Sequence, residues 1–78
     1  MKAKVYVTLK NGVLDPQGQA IGKSIKNLDI TGIKEVRQGK YFELELDSAD
    51  NAEEKVKKAC ENILANTVIE NYRFELVA

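Results

Sequence analysis

Two short stretches carry the side chains best placed to do chemistry. One is Lys10, Asn11, Gly12 and Asp15, and the other is Arg37, Gln38, Gly39 and Lys40. The first sets a cation, an amide and a carboxylate around a glycine. The second places two cations on either side of a Gln-Gly pair. Ammonium and guanidinium groups donate to carboxylate and phosphate oxygens, so each stretch suits an anionic ligand or an acidic partner surface. Ordinary turn chemistry with solvated charges is the plainer alternative for both. Catalysis lacks its usual parts. The 78 residues contain no histidine, which removes Ser-His-Asp and Cys-His arrangements. Cys60 is the only thiol. It lies on an apolar helical stripe, with no base or positive field to make it reactive, and reads as a small core residue. One thiol without histidine cannot build a four-ligand zinc cage. Gly12, Gly18 and Gly22 are too widely spaced for a GxxxxGK[ST] or GxGxxG phosphate loop. Glu43 and Glu45 share a strand face, as solvated carboxylates commonly do.

The elements that must position these residues follow from hydrophobic period. Residues 2–10 alternate: Ala3, Val5, Val7 and Leu9 point one way, and Lys2, Lys4, Tyr6, Thr8 and Lys10 the other. Tyr6 and Thr8 suit a pleated surface; it is either a solvated face with one tyrosine or a face used in subunit contact, and on the second reading Tyr6 joins the candidate contact residues. Asn11-Gly12 signals a turn. Asp15 and Pro16 then predict a helix start, because Asp accepts from a first-turn amide and Pro loses no bond at the first helical position. That helix is expected over residues 16–28, with Ala20, Ile21, Ser24, Ile25 and Leu28 on one face. Gly18 and Gly22 each weaken it by about 1 kcal/mol relative to Ala, and either mark close approach of another element or are simply tolerated.

Residues 33–47 form a β-rich run broken at Gln38-Gly39, with Phe42, Leu44 and Leu46 alternating after the break. Either Gln38-Gly39 is a hairpin turn with a positive φ at Gly39, or the run is one long bent strand with a bulge. A second helix follows, with Asp50 and Glu53 reading as a capping box. Its stripe of Ala52, Val56, Ala59, Cys60 and Ile63 extends to about Ala65. Residues 68–77 form the last strand, with Tyr72, Phe74 and Leu76 on one side. The predicted fold is a single α+β domain over residues 1–78, a ferredoxin-like βαββαβ unit whose antiparallel sheet carries two helices on one face.

Size and charge narrow the function class. A chain this short buries only about 60% of its unfolded surface. With no disulfide or metal available, self-association or a protein partner is the remaining support. Twelve basic and twelve acidic side chains cancel, which argues against duplex binding, where a basic excess neutralises phosphates. No apolar run approaches the ~20 residues of a membrane span, and lysines interrupt the N-terminus where a signal peptide would be apolar. The expectation is a soluble cytoplasmic protein with a reduced thiol, binding neither nucleic acid nor membrane.

Three segments, LKNGVLDPQGQAI at residues 9–21, VRQGKYFELEL at residues 36–46 and LANTVIENY at residues 64–72, resemble the small subunit of phosphoribosylformylglycinamidine synthase, the PurS family. The resemblance runs nearly end to end. One departure is Thr67, where family members often carry Pro. The resemblance implies a non-catalytic subunit of a purine-biosynthetic ligase. In that complex a large synthetase subunit uses ATP with Mg and a glutaminase subunit supplies ammonia from glutamine. This chain would bridge the two and aid ammonia transfer, binding no cofactor itself. It also implies a homo-oligomer, a dimer or tetramer, built by sheet extension, which favours the bent strand at Gly39. On this reading Lys10, Asn11, Gly12, Asp15, Arg37, Gly39, Lys40 and Tyr6 are candidate subunit contacts. Two rivals come from other classes. One is a dimeric ferredoxin-like regulatory module that binds a small molecule. The other is an RNA-binding sheet, for which the aromatic RNP run is missing.

Overall fold

Ala3, Val5 and Val7 are fully buried, and the strand that carries them is the centre of the molecule. The computed structural model describes residues 1–78. Strand β1 (Lys2–Leu9) pairs antiparallel with β2 (Gly39–Glu45) on one side and with β3 (Glu70–Val77) on the other. Helix α1 (Pro16–Asn27) lies between β1 and β2 in sequence, and α2 (Ala52–Ala59) lies between β2 and β3. On the inner face Val5 stands between Phe42 and Phe74, and Ala3 between Leu44 and Leu76. Small residues in the middle strand let the large ones on the edge strands close over them. Val56, Cys60 and Ala65 complete this core from above. Cys60 is therefore the core residue its place on the stripe predicts, and burial raises its thiol pKa.

The α+β class and the antiparallel sheet are as predicted, with three differences in detail. Neither a hairpin nor a bulged strand forms at Gly39 within the chain. Strand β2 begins there, and residues 33–38 pair with no strand. The Gln38 amide is taken by Asp15 Oδ2 and the Arg37 guanidinium by the Leu9 and Lys10 carbonyls, so the chain is held off the sheet until Gly39. Gly39 has no positive φ; it is glycine because a Cβ would run into the Val7 carbonyl oxygen.

The second difference is the position of α1. Asp15 and Pro16 start it as expected, the Asp15 carboxylate accepting from the Gly18 amide at 2.8 Å. The helix packs against the strap formed by residues 33–38 rather than on the sheet, and buries only Gly18. Leu14 and Leu28 are 66% and 70% exposed, and Ile21, Ile30 and Ile33 are also exposed. This lobe gives the chain a radius of gyration of 15.8 Å, against about 11.5 Å for a compact domain of this length.

The third difference is at α2. The residue before its first turn is Asn51, at φ 52°, and makes no side-chain cap bond. Asp50 instead donates its amide to Ser48 Oγ at 3.3 Å. The helix ends in a π turn over Cys60–Leu64, closed by the Ala65 amide on the Cys60 carbonyl at 2.9 Å. The wider turn delays the inward position by one residue. Leu64 is half-buried and Ala65 buried, while Ile63, predicted on the apolar stripe, is 81% exposed. No helix is long and apolar enough to cross a membrane.

Candidate functional site

The end of β1 brings the two charged stretches together. The Lys10 amide donates to the Ile69 carbonyl and its ammonium to Asn71 Oδ1, both at 2.8 Å. Chain direction then reverses at Asn11-Gly12, where Gly12 takes a φ of 86° that side chains other than glycine rarely tolerate. Arg37 reaches back across this turn. Its guanidinium donates to the carbonyls of Leu9 at 3.1 Å and Lys10 at 3.3 Å, binding the strap to the end of the central strand.

Asp15 joins the same junction from the other side. Its Oδ1 caps α1, while its Oδ2 accepts the Gln38 amide at 2.8 Å. The Gln38 and Gly18 amides hold its carboxyl below the usual range, burial opposes them, and Arg37 adds to the lowering. Lys40 pairs with Glu70 Oε2 at 3.2 Å, and Glu70 Oε1 accepts the Asn66 amide at 2.7 Å. That amide first, and Lys40 second, lower the Glu70 pKa.

Seven of the predicted contact residues, Lys10, Asn11, Gly12, Asp15, Arg37, Gly39 and Lys40, thus meet at one end of the sheet. Several of their charges are spent internally. Arg37 is tied to carbonyls, Lys40 to Glu70, and Asp15 to two amides. Asn11 and Gly12 remain the exposed tip. Such an end is a shaped, hydrogen-bonded surface rather than a set of free catalytic groups, and no cluster of three or more His, Cys, Asp and Glu side chains is placed to hold a metal ion.

Tyr6 is not part of this end. It lies on the outer sheet face, in register with Tyr41 and Arg73. The Arg73 guanidinium carbon sits 4.0 Å from its ring centroid, and the Tyr41 ring lies 5.2 Å away at 43°. Tyr41 donates to Glu43 Oε2 at 2.8 Å. That bond and partial burial push the Tyr41 pKa up to about 12, while the same bond, with Lys2 beside it, lowers that of Glu43. A half-buried Tyr6 between exposed Tyr41 and Arg73 has the composition enriched at protein contacts.

Sequence reasoning missed three parts of this surface. Glu70 and Asn71 belong to it only because β3 pairs beside β1, and nothing local marks them. The third is a groove of about 620 Å³ between α1 and the strap, with Lys23, Lys26 and Lys34 on its walls. Its one local sign is the pair Gly18 and Gly22, a helical turn apart, where the Val36 backbone crosses closest to Gly18.

Residues 2–78 match the family model described as PurS, phosphoribosylformylglycinamidine (FGAM) synthase. The chain belongs to the PurS family. It is 47% identical over 76 residues to the PurS subunit of this synthase from Bacillus subtilis, an alignment covering 96% of this chain and 90% of that protein. Its fold superposes on a Bacillus subtilis PurS crystal structure with a TM-score of 0.89, at 46% identity, covering 99% and 98% of the two chains. It is also similar to a chain in the structure of PurLQS from Thermotoga maritima, with a TM-score of 0.78 at 31% identity, covering 97% and 95%. PurS chains are subunits of FGAM synthase, an enzyme of purine biosynthesis, and this chain is one of them. The fold and family implied by the three quoted segments are therefore both found.

Proposed function

We propose that this PurS chain works by contact alone, joining a glutaminase subunit to a large ATP-dependent synthetase subunit and aiding ammonia transfer between them in the cytoplasm. ATP, Mg and glutamine are handled by the larger subunits, and this chain binds none of them. It acts as a homo-oligomer. The observation that carries this reading is the unpartnered lobe. Helix α1 leaves Ile21 open to solvent, with Leu28 and Ile30 exposed just beyond its end, on a chain too small to forgo their burial. At roughly 25 cal/mol per Å² of apolar area, a second copy seated on this lobe recovers stability that the single chain lacks. The sheet end around Asn11 and Gly12, and the Tyr6 row, then remain for the larger subunits.

The test is reconstitution of the complex from purified subunits with alanine at Asn11, Asp15, Arg37 and Lys40 in turn. The expected result is reduced glutamine-dependent activity and weaker co-elution with the larger subunits, with self-association retained in the Asn11 and Lys40 variants, whose side chains do not hold the lobe. Activity and co-elution unchanged in all four variants would overturn the assignment of this end. Size-exclusion chromatography that gives a stable lone monomer at micromolar concentration would overturn the homo-oligomer.

A further inference from the structure

Helix α1 has two working sides. Ile21, Ile25 and Leu28 recur at the helical period on one, and Gly22, Lys23 and Lys26 occupy another, facing the strap. The groove between that second side and residues 33–37 holds about 620 Å³. Its ionisable lining is Lys23, Lys26, Lys34 and Arg37 against Asp15 and Glu35, four positive and two negative charges. The two acids are not available to neutralise the lysines. Asp15 is committed to the Gly18 and Gln38 amides, and Glu35 pairs with Arg37 at 3.7 Å. Lys23, Lys26 and Lys34 have no acidic partner within 4.0 Å anywhere in the chain. Val13, Leu14, Ile33 and Val36 supply apolar wall between them.

We propose that this groove is a docking site for an acidic segment of another subunit of the synthase, one that sets a few apolar side chains among its carboxylates. The inference rests on the subunit reading above and adds where and by what chemistry one partner is held. Three unpaired lysines around an apolar wall complement carboxylates that bring their own apolar neighbours. A second copy is the weaker fit: in its own acidic run, residues 42–47, Phe42, Leu44 and Leu46 are packed against the core and Glu43 is held by Tyr41 and Lys2, so the run does not present carboxylates and apolar side chains together. That copy is already matched to the apolar side of α1. With one side of α1 for the second copy and the other for the acidic segment, the helix is a shared wall between self-association and heteromeric contact. Rim charges of this kind act mainly on encounter rate and salt dependence.

The experiment compares wild-type chain with the triple variants K23E/K26E/K34E and K23Q/K26Q/K34Q. Fold is followed by circular dichroism, self-association by size exclusion, and affinity for each purified larger subunit by titration at about 0.1 M and about 1 M salt, where the Debye length is about 10 Å and 3 Å. The expected result is unchanged fold and self-association. Affinity for one larger subunit drops about tenfold or more in the Glu variant and less in the Gln variant. Wild-type affinity falls with salt more steeply than that of either variant. Equal affinity of wild type and Glu variant for both larger subunits overturns the groove proposal and leaves the subunit reading standing. Loss of self-association in the Glu variant also overturns it, since the occupant is then a second copy. So do shifts of groove amides on adding inorganic phosphate when the lysine changes leave subunit binding intact, since the occupant is then a small anion. Wild-type chain that binds neither larger subunit removes the subunit reading, and this proposal with it.

Discussion

Gly18 and Gly22 lie one turn apart on α1, yet alanine should stabilise the chain at Gly22 and not at Gly18. At Gly22 an added methyl meets Val36 Cγ2 at 3.7 Å, an ordinary contact. Helix propensity then decides, and Gly22→Ala is expected to stabilise by about 0.5–1 kcal/mol. At Gly18 the same propensity gain is on offer. The methyl, however, would run into the Val36 carbonyl oxygen and lie 2.6 Å from Asp15 Oδ2. A backbone carbonyl cannot rotate aside as a side chain does, and overpacking of this kind costs about 1–3 kcal/mol. Gly18→Ala should therefore range from near neutral to about 2 kcal/mol destabilised. The two variants should differ by about 1–3 kcal/mol, the size of the clash itself.

The assay is urea unfolding at one fixed protein concentration, because self-association makes the midpoint concentration-dependent. Hydrogen exchange at the Gln38 amide serves as a local reporter. That amide bonds Asp15 Oδ2, so its exchange should quicken in Gly18→Ala and stay slow in Gly22→Ala. Stabilisation of similar size by both substitutions, with Gln38 protection intact in both, would refute the close crossing of strap and helix.

Three further outcomes are expected. Thr67 is the second residue of a turn in which the Ile69 amide donates to the Asn66 carbonyl at 3.0 Å; this position favours proline, so Thr67→Pro should stabilise by about 0.4–1 kcal/mol, and a lowered melting temperature would count against the turn. The Asp15 carboxyl is held below its ordinary value by the Gln38 and Gly18 amides. Its contribution is therefore present above the unfolded pKa of about 3.9 and disappears as pH falls through the lowered folded value. A pH series of unfolding midpoints should show Asp15→Asn losing that acid-side slope, and parallel wild-type and variant curves would dismiss the linkage. Cys60 is fully buried, with its thiol pKa raised by desolvation, so iodoacetamide should label it slowly at neutral pH and fully in urea. Native labelling at the rate of a free thiol would contradict its place in the core.

The three short segments that resemble the PurS family carry the family assignment in local sequence alone. Other readings depended only on near neighbours. Alternation over Ala3, Val5 and Val7 marked the buried side of the central strand, and Asp15 with Pro16 marked the start of α1, both as found. Position on the stripe placed Cys60 inside. These patterns are legible because a strand repeats every two residues and a helix every 3.6, so a short window holds the whole signal. The errors fell where that window ends. Gln38-Gly39 looked like a turn locally, but the Gln38 amide is taken by Asp15, 23 residues away, and Lys40 by Glu70, 30 residues away. Ile63 fitted a regular α-helical stripe, and a π turn set it outside.

The sequence by itself determined which residues are apolar, where α1 begins, and that no histidine or phosphate loop is present to do catalysis. Only the tertiary structure decided that the two charged stretches share one end of the sheet, that α1 stands off with the strap, and that three lysines line a groove without partners. The physical reason is that the bonds holding the strap join residues more than twenty positions apart: the Gln38 amide to Asp15, and the Arg37 guanidinium to the Leu9 and Lys10 carbonyls. Residues 33–38 are left to the Asp15 carboxylate and the Arg37 guanidinium, whose partners are chosen by the pairing of distant strands and not by adjacent residues.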